Sequence, residues 1–208
     1  GGGGPGAGPV CVNDTLLNYL PGPIVQRNNS LYEFIEMPNT IGHLGTFHGN
    51  FGVLVRAYCY IRALGNEGIP EVSKNAVMNA NYIMNKLKHA YDIGFENRSI
   101  CMHEVVFTAR KQKQNGVKGL DIAKRLLDYG YHSPTMYFPL IVDEALMVEP
   151  TESESKNTLD KFIDAMLQIA IECENNTELL HEAPHNTPVQ RLDEALAARQ
   201  PNLKWSEK

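Results

Sequence analysis

The stretch that most constrains this chain is residues 128–156, DYGYHSPTMYFPLIVDEALMVEPTESESK. Leu126 and Leu127 close a helical pattern, and Gly130 can take the positive φ of a residue just past a helix end. A polar loop follows at 131–135. Two short apolar runs, 137–142 and 145–148, flank a break at Asp143 and Glu144, which suits two buried strands of a hairpin or one bulged strand. Pro150 stops strand pairing. Thr151 and Glu154 then read as a capping box, the hydroxyl accepting one free backbone N–H and the carboxylate another.

The remaining chain fits around this segment. Residues 1–10 hold six glycines and two prolines, which let backbone approach another group closely; a plain linker is the alternative. Residues 13–20 suggest a short helix stopped by Pro21-Gly22-Pro23, with irregular chain to Gly45. A helical pattern over 46–64 stops at Gly65, and after a turn at 65–68, with Pro70 in a first-turn position, Val72, Ala76, Ala80, Ile83, Met84 and Leu87 form one apolar face. A strand is expected at 100–109, where His103 and Glu104 would point to opposite faces, and a helix at 120–129 with Asp121 near its positive end. Leu159, Phe162, Ile163, Met166, Ile169, Ala170 and Cys173 mark a long helix. An irregular connection over 179–185 leads to a last helix opened by a capping box at 187–190. The expected fold class is α+β, a small mostly antiparallel sheet covered by helices, with a glycine-rich and irregular segment over 1–45 and a C-terminal domain over 46–208.

Composition narrows the function classes. With 208 residues, 43% of them hydrophobic, the chain can bury a core, and a net charge of -5 with dispersed Lys and Arg gives no basic face for nucleic acid or anionic membrane. Cys11, Cys59, Cys101 and Cys173 stand far apart in apolar contexts, which predicts buried free thiols in a reducing, cytoplasmic setting and supports neither a metal site nor disulfides. No apolar run reaches the roughly 20 residues of a membrane span. Four leading glycines without an initiator Met read as the start of a fragment.

The 128–156 segment resembles the C-terminal region of the glycine cleavage system P-protein, the pyridoxal-phosphate-dependent glycine dehydrogenase (decarboxylating), and most closely subunit 2 of its two-subunit form. The likeness extends to GGGGPGAGP at 1–9, FHGNFGVLVRAY at 47–58 and EAPHNTPVQRLDE at 182–194. It implies the small domain of a fold-type-I pyridoxal-phosphate enzyme, preceded by a loop from the large cofactor domain. It also implies a parent enzyme that decarboxylates glycine and passes the aminomethyl group to the lipoyl arm of a carrier protein. Expected partners are the other P-protein subunit or domain, the lipoylated carrier, glycine and further copies in an oligomer. In that family the cofactor lysine sits in a His-Lys-Thr motif just before the glycine run, and no lysine here stands in such a motif. The isolated chain is therefore expected to be inactive. The alternative is a non-catalytic module for subunit or carrier contact.

Carried onto this sequence, the resemblance implies cofactor contacts from Gly1, Gly2, Gly3, Gly4, Thr46, His48 and Asn50. The plain alternative for the second group is a helix cap by Thr46 and a surface His48. His132 and Thr135, in a loop between a helix and a buried strand, are the candidate catalytic residues; the alternative makes them a helix terminator and a solvent-facing side chain. Arg191 is the candidate for binding the substrate carboxylate, against a helix-surface ion pair with Asp193 or Glu194.

Overall fold

A computed structural model of the chain describes residues 5–45, 48–95 and 99–205. The chain divides into two compact units, Gly1–Ile69 and Pro70–Lys208, so the boundary expected after residue 45 falls inside the first.

In the first unit, helix α1 (Asp14–Leu17) starts where the Asn13 side chain accepts the Leu16 N–H. The stretch expected to be irregular instead forms an antiparallel hairpin, β1 (Ile24–Asn28) with β2 (Leu31–Ile35). Asn29 takes φ 56° in its turn, a conformation that asparagine tolerates better than most residues, so QRNNSLYEF carried a readable hairpin signal. Helix α2 (Phe51–Leu87) begins five residues later than expected. Its cap is Asn50, whose Oδ1 accepts the Val53 N–H at 3.1 Å. Its backbone leaves helical geometry once, at Gly65 (φ 64°, ψ -169°), a region open to glycine almost alone. The stop at Gly65 is therefore as expected, but the turn shrinks to one residue. None of the described residues up to Ile69 is buried.

The second unit holds the core. The later part of α2 buries Ala80, Ile83, Met84 and Leu87, the face anticipated from spacing. A four-stranded antiparallel sheet runs in the order β3 (Asp92–Ile93), β4 (Val105–Thr108), β6 (Ala145–Val148), β5 (Thr135–Met136). Alternation divides β4. Val105 and Phe107 face the main core with Leu146 and Val148, while Val106 joins Val142 and Ala145 in a smaller cluster. The main core is completed by Ile122 and Leu126 of α4 (Gly119–Asp128), Leu159, Ile163, Met166, Ile169 and Cys173 of α5 (Lys156–Asn175), and Leu180 of α6 (Thr177–His181). Each large side chain buried there contributes about 1.5–3 kcal/mol. One-turn α3 (Arg110–Lys113) and α7 (Glu194–Arg199) complete the order, with α3 placed between β4 and α4. The architecture is α+β.

Several local expectations change, each for a visible reason. The strand expected at 100–109 is confined to β4, because the Asn81 side chain takes both backbone groups of Cys101, accepting its N–H at 3.0 Å and donating to its carbonyl at 2.7 Å. His103 and Glu104 lie outside the strand and approach to 3.8 Å instead of pointing apart. The run 137–142 is a loop, since Pro139 has no N–H and the Val142 N–H closes a turn onto the Pro139 carbonyl; Leu140 and Ile141 stand exposed. Thr151 does not cap α5. Ser155 does, its Oγ accepting the Thr158 N–H at 3.1 Å. Of the four cysteines, all free as expected, only Cys173 is buried, and Cys11 and Cys59 are exposed. Gly130, at φ 79°, ends α4 as expected, with Tyr131 N–H donating to the Leu126 carbonyl and Gly130 N–H to that of Leu127.

The expected capping box at 187–190 is absent because this segment is held against α4. Asp128 Oδ1 accepts the backbone N–H groups of His185 (2.5 Å) and Asn186 (2.7 Å), and the Thr187 hydroxyl donates to the Val189 carbonyl. The last helix starts at Glu194, capped by Asp193. Arg125 joins this arrangement to α5, bonding Asp128 at 3.0 Å and Glu172 at 2.9 Å, while the Tyr129 hydroxyl donates to Glu172 at 2.8 Å. Burial would raise both carboxyl groups, but the Asn186 N–H, Arg125 and the His185 N–H hold Asp128 below its ordinary value. Arg125 and Tyr129 do the same for Glu172.

Two predictions follow from this packing. Ser155→Ala should cost about 1 kcal/mol in urea unfolding, the usual loss for an N-cap, and Thr151→Ala much less; the reverse order would restore Thr151 as the cap. Because Asp128 and Glu172 titrate lower when folded than unfolded, their stabilisation is complete above the unfolded values of about 4 and is lost as pH falls through the folded ones. Arg125→Met should flatten that acid-side slope, measured as unfolding free energy against pH.

Candidate functional site

Within the second unit, the 131–135 loop, the end of β6, the 149–155 connection and the first turns of α5 enclose a cleft of about 430 Å³. Local geometry explains each wall. The α4 terminator at Gly130 turns the chain outward, and the loop re-enters as edge strand β5, with Thr135 opposite Met147 of β6. The connection after β6 is anchored by Asn79 of α2, whose Nδ2 donates to the Thr151 carbonyl at 2.9 Å. Ile83 of α2 and Leu159 of α5 also line the cleft, together with Tyr131 and Phe162, whose rings meet edge to face at 5.3 Å.

His132 and Thr135, singled out from sequence, both line this cleft, and both are exposed. The His132 Nδ1 lies 2.7 Å from the Ser133 carbonyl oxygen. A proton on Nδ1 is thereby donated to that carbonyl, leaving the Nε2 lone pair open to take a proton from a bound group. Around it stand the hydroxyls of Thr151 and Thr158 and the carboxylates of Glu149 and Glu154. Burial, then the charges of Asp164 and Glu154, push the Tyr131 phenol above its usual value. The cleft can move a proton at His132 and bond polar groups, and its fixed charges are negative. Glu149, Glu154 and Thr158 also line the cleft, although the sequence singles out none of them as a site candidate and offers Glu154 as a helix cap instead.

The other candidates lie elsewhere. His48 and Asn50 belong to the first unit, where the His48 ring stacks on Phe34 of β2 at 4.7 Å and Asn50 caps α2. Gly1, Gly2, Gly3, Gly4 and Thr46 lie outside the described residues. Arg191 precedes α7 and bonds Asp121 at 2.8 Å, not Asp193 or Glu194. Its Nε and Nη2 donate to the carbonyls of Ala183 and Leu180. The carboxylate that Arg191 meets in this structure is thus one of the chain's own. Among the described residues no helix is long and apolar enough to cross a membrane.

A family model described as glycine dehydrogenase, C-terminal domain, matches residues 72–190, a span that takes in every residue lining the cleft. The chain belongs to this family. Relatives of the glycine dehydrogenase C-terminal domain seen here include the probable glycine dehydrogenase (decarboxylating) subunit 2 of Bacillus thuringiensis strain Al Hakam, Bacillus cereus strain B4264 and Bacillus anthracis strain A0248. Each is 54% identical over 207 residues, covering 99% of this chain and 42% of the relative. The chain thus spans less than half the length of those relatives. In fold, it is similar to the crystal structure of glycine decarboxylase (P-protein) of the glycine cleavage system in inhibitor-bound form, with a TM-score of 0.61 at 16% identity over 75% of this chain and 37% of that one.

For this glycine dehydrogenase C-terminal domain, Arg191→Ala should cost about 2 kcal/mol, because it strands Asp121 with one partner fewer. Urea unfolding measures this, and an unchanged midpoint would release Arg191 from a structural role.

Proposed function

We propose that this chain is the C-terminal part of a glycine dehydrogenase (decarboxylating) of the glycine cleavage system, acting on glycine together with another subunit and a lipoylated carrier protein in the cytoplasm. The observation that carries this reading is 54% identity over 99% of the chain to relatives named as subunit 2 of that enzyme. Pyridoxal phosphate, which the family resemblance implies, supplies an electron sink for the carbon that loses carbon dioxide. The described residues of the cleft do not fit it: no lysine lines the cleft to join the cofactor and no lysine or arginine to meet its phosphate. Two lysines elsewhere are held as ammonium ions, Lys113 raised by Glu144 and Asp143, and Lys156 by Asp160 and Tyr82. The cofactor-facing roles of Gly1–4, Thr46, His48 and Asn50 belong to the same proposal.

In this reading His132 handles a proton at its Nε2, and Thr135 orients the group that carries it. The test uses the complete enzyme containing this chain, with its partner subunit and carrier. His132→Ala should lower glycine-dependent carbon dioxide exchange by about 100-fold, the lower range for a positioned acid or base, with the melting temperature unchanged. Equal loss of activity and stability would assign His132 to folding, and full activity would remove it from the chemistry. The exposed Leu140 and Ile141 favour a second role in contact with another subunit or the carrier. Leu140→Ser should then weaken assembly or raise the KM for carrier while sparing stability.

A further inference from the structure

Helix α2 changes character at Gly65. Beyond it, Ile83, Met84 and Leu87 lie in the main core. Before it, Phe51, Leu54, Val55, Tyr58 and Ile61 stand at helix positions i, i+3, i+4, i+7 and i+10, which sets them on one stripe. All five are exposed, from 41% at Val55 to 73% at Phe51. A stripe with this spacing ordinarily packs on a core. The first unit offers none, because none of its described residues is buried, and its hairpin likewise leaves Val25, Tyr32 and Phe34 uncovered. Ordering a chain costs entropy that burial has to offset, so this unit holds the apolar side chains for a core and lacks the second layer that would close it.

The comparisons narrow where that layer comes from. The C-terminal domain model begins at residue 72, next to the unit boundary after Ile69, so the stripe lies outside the matched domain. The likeness to the subunit 2 relatives nevertheless covers 99% of this chain, the stripe with it, while this chain covers only 42% of each relative. The stripe therefore goes with the portion of those proteins that is not the C-terminal domain, and most of that portion has no counterpart here. Charge narrows the surface further. From residue 51 to residue 66 there is no Asp or Glu, and the two charges are Arg56 and Arg62. The Arg62 guanidinium lies 6.0 Å from the centre of the Tyr58 ring, so its charge stands on the stripe itself. A second copy laid on the same face would bring arginine to arginine with no carboxylate between them, whereas carboxylates around an apolar surface would meet both. We propose that the stripe at 51–61 docks on an apolar, carboxylate-edged surface in the part of the parent polypeptide that this chain does not span, and that the first unit gains its core there. The proposal rests on the reading of this chain as the C-terminal part of a longer glycine dehydrogenase.

Amide hydrogen exchange, followed by mass spectrometry on peptides from 51–64, tests it in this chain alone, in the complete parent subunit alone, and in that subunit with its partner. In this chain alone the 51–64 amides should exchange fast while those of 159–173 stay protected, and in the complete subunit alone they should slow by about 100-fold. In the complete subunit, Leu54→Asp and Tyr58→Ser should restore fast exchange at 51–64 and leave 159–173 protected, and Arg62→Glu should do so more weakly. If Leu54→Asp yields no folded subunit, Tyr58→Ser decides. Slow exchange already in this chain when dilute, slowing only as its concentration rises, or slowing only once the partner subunit is added would each overturn the proposal, the last two by naming a second copy or the other subunit as the occupant. Slowed 51–64 amides in a complete subunit that shows no glycine-dependent carbon dioxide exchange would remove the activity reading and keep the interface.

Discussion

The guanidinium of Arg125 meets two carboxylates from different parts of the chain, and much of the second unit depends on that meeting. Glu172 belongs to α5 and Asp128 to the end of α4, so one cation fixes the spacing of two helices whose apolar faces then close over β4 and β6. Asp128 uses its other oxygen on the backbone of His185 and Asn186, and Arg191 of the same returning segment reaches Asp121 at the start of α4. Removing one member of such a network leaves a buried charge behind, which costs more than the pair contributes over an apolar substitute. The tightness of this region comes from shared partners more than from the count of its ion pairs.

This arrangement also sets the candidate site. Once α4 and α5 are fixed, Gly130 delivers the 131–135 loop to the edge of the sheet, and Ser155 starts α5 so that Thr158 faces the same space. His132 and Thr135 come from positions close in sequence, whereas Glu149, Glu154 and Thr158 arrive through the strand and cap that follow. The cleft is therefore local in sequence, assembled largely from residues 131–162, and Asn79 secures it from α2 by one hydrogen bond to Thr151.

What the sequence made legible follows the range of the forces involved. The apolar faces of α2, α4 and α5 and the stops at Gly65 and Gly130 depend on residues within a few turns, and they stand where spacing placed them. The elements that lie elsewhere than expected depend on distant partners. The 100–109 stretch lost strand to the Asn81 side chain, the capping box at 187–190 lost to Asp128 and Asp121, and Arg191 found its carboxylate 70 residues away. Two nearby hydroxyls, Thr151 and Ser155, offered rival helix starts, and Asn79 binding the Thr151 carbonyl accompanies the later one. The β1–β2 hairpin lies in a stretch expected to be irregular, and its signal sits in the asparagine turn at Asn28 and Asn29.

That hairpin has a bearing on how the chain behaves in solution. Among the described residues its sheet stops at two strands, with Val25, Leu31, Tyr32 and Phe34 all exposed. A two-stranded ribbon presents hydrogen-bonding groups along both outer margins, and such margins can template pairing with another chain. Arg27 and Glu33 interrupt its apolar run with opposite charges, the arrangement of gatekeeping residues beside adhesive strands. A strand added from a second copy of the chain would cover one of those margins with backbone hydrogen bonds.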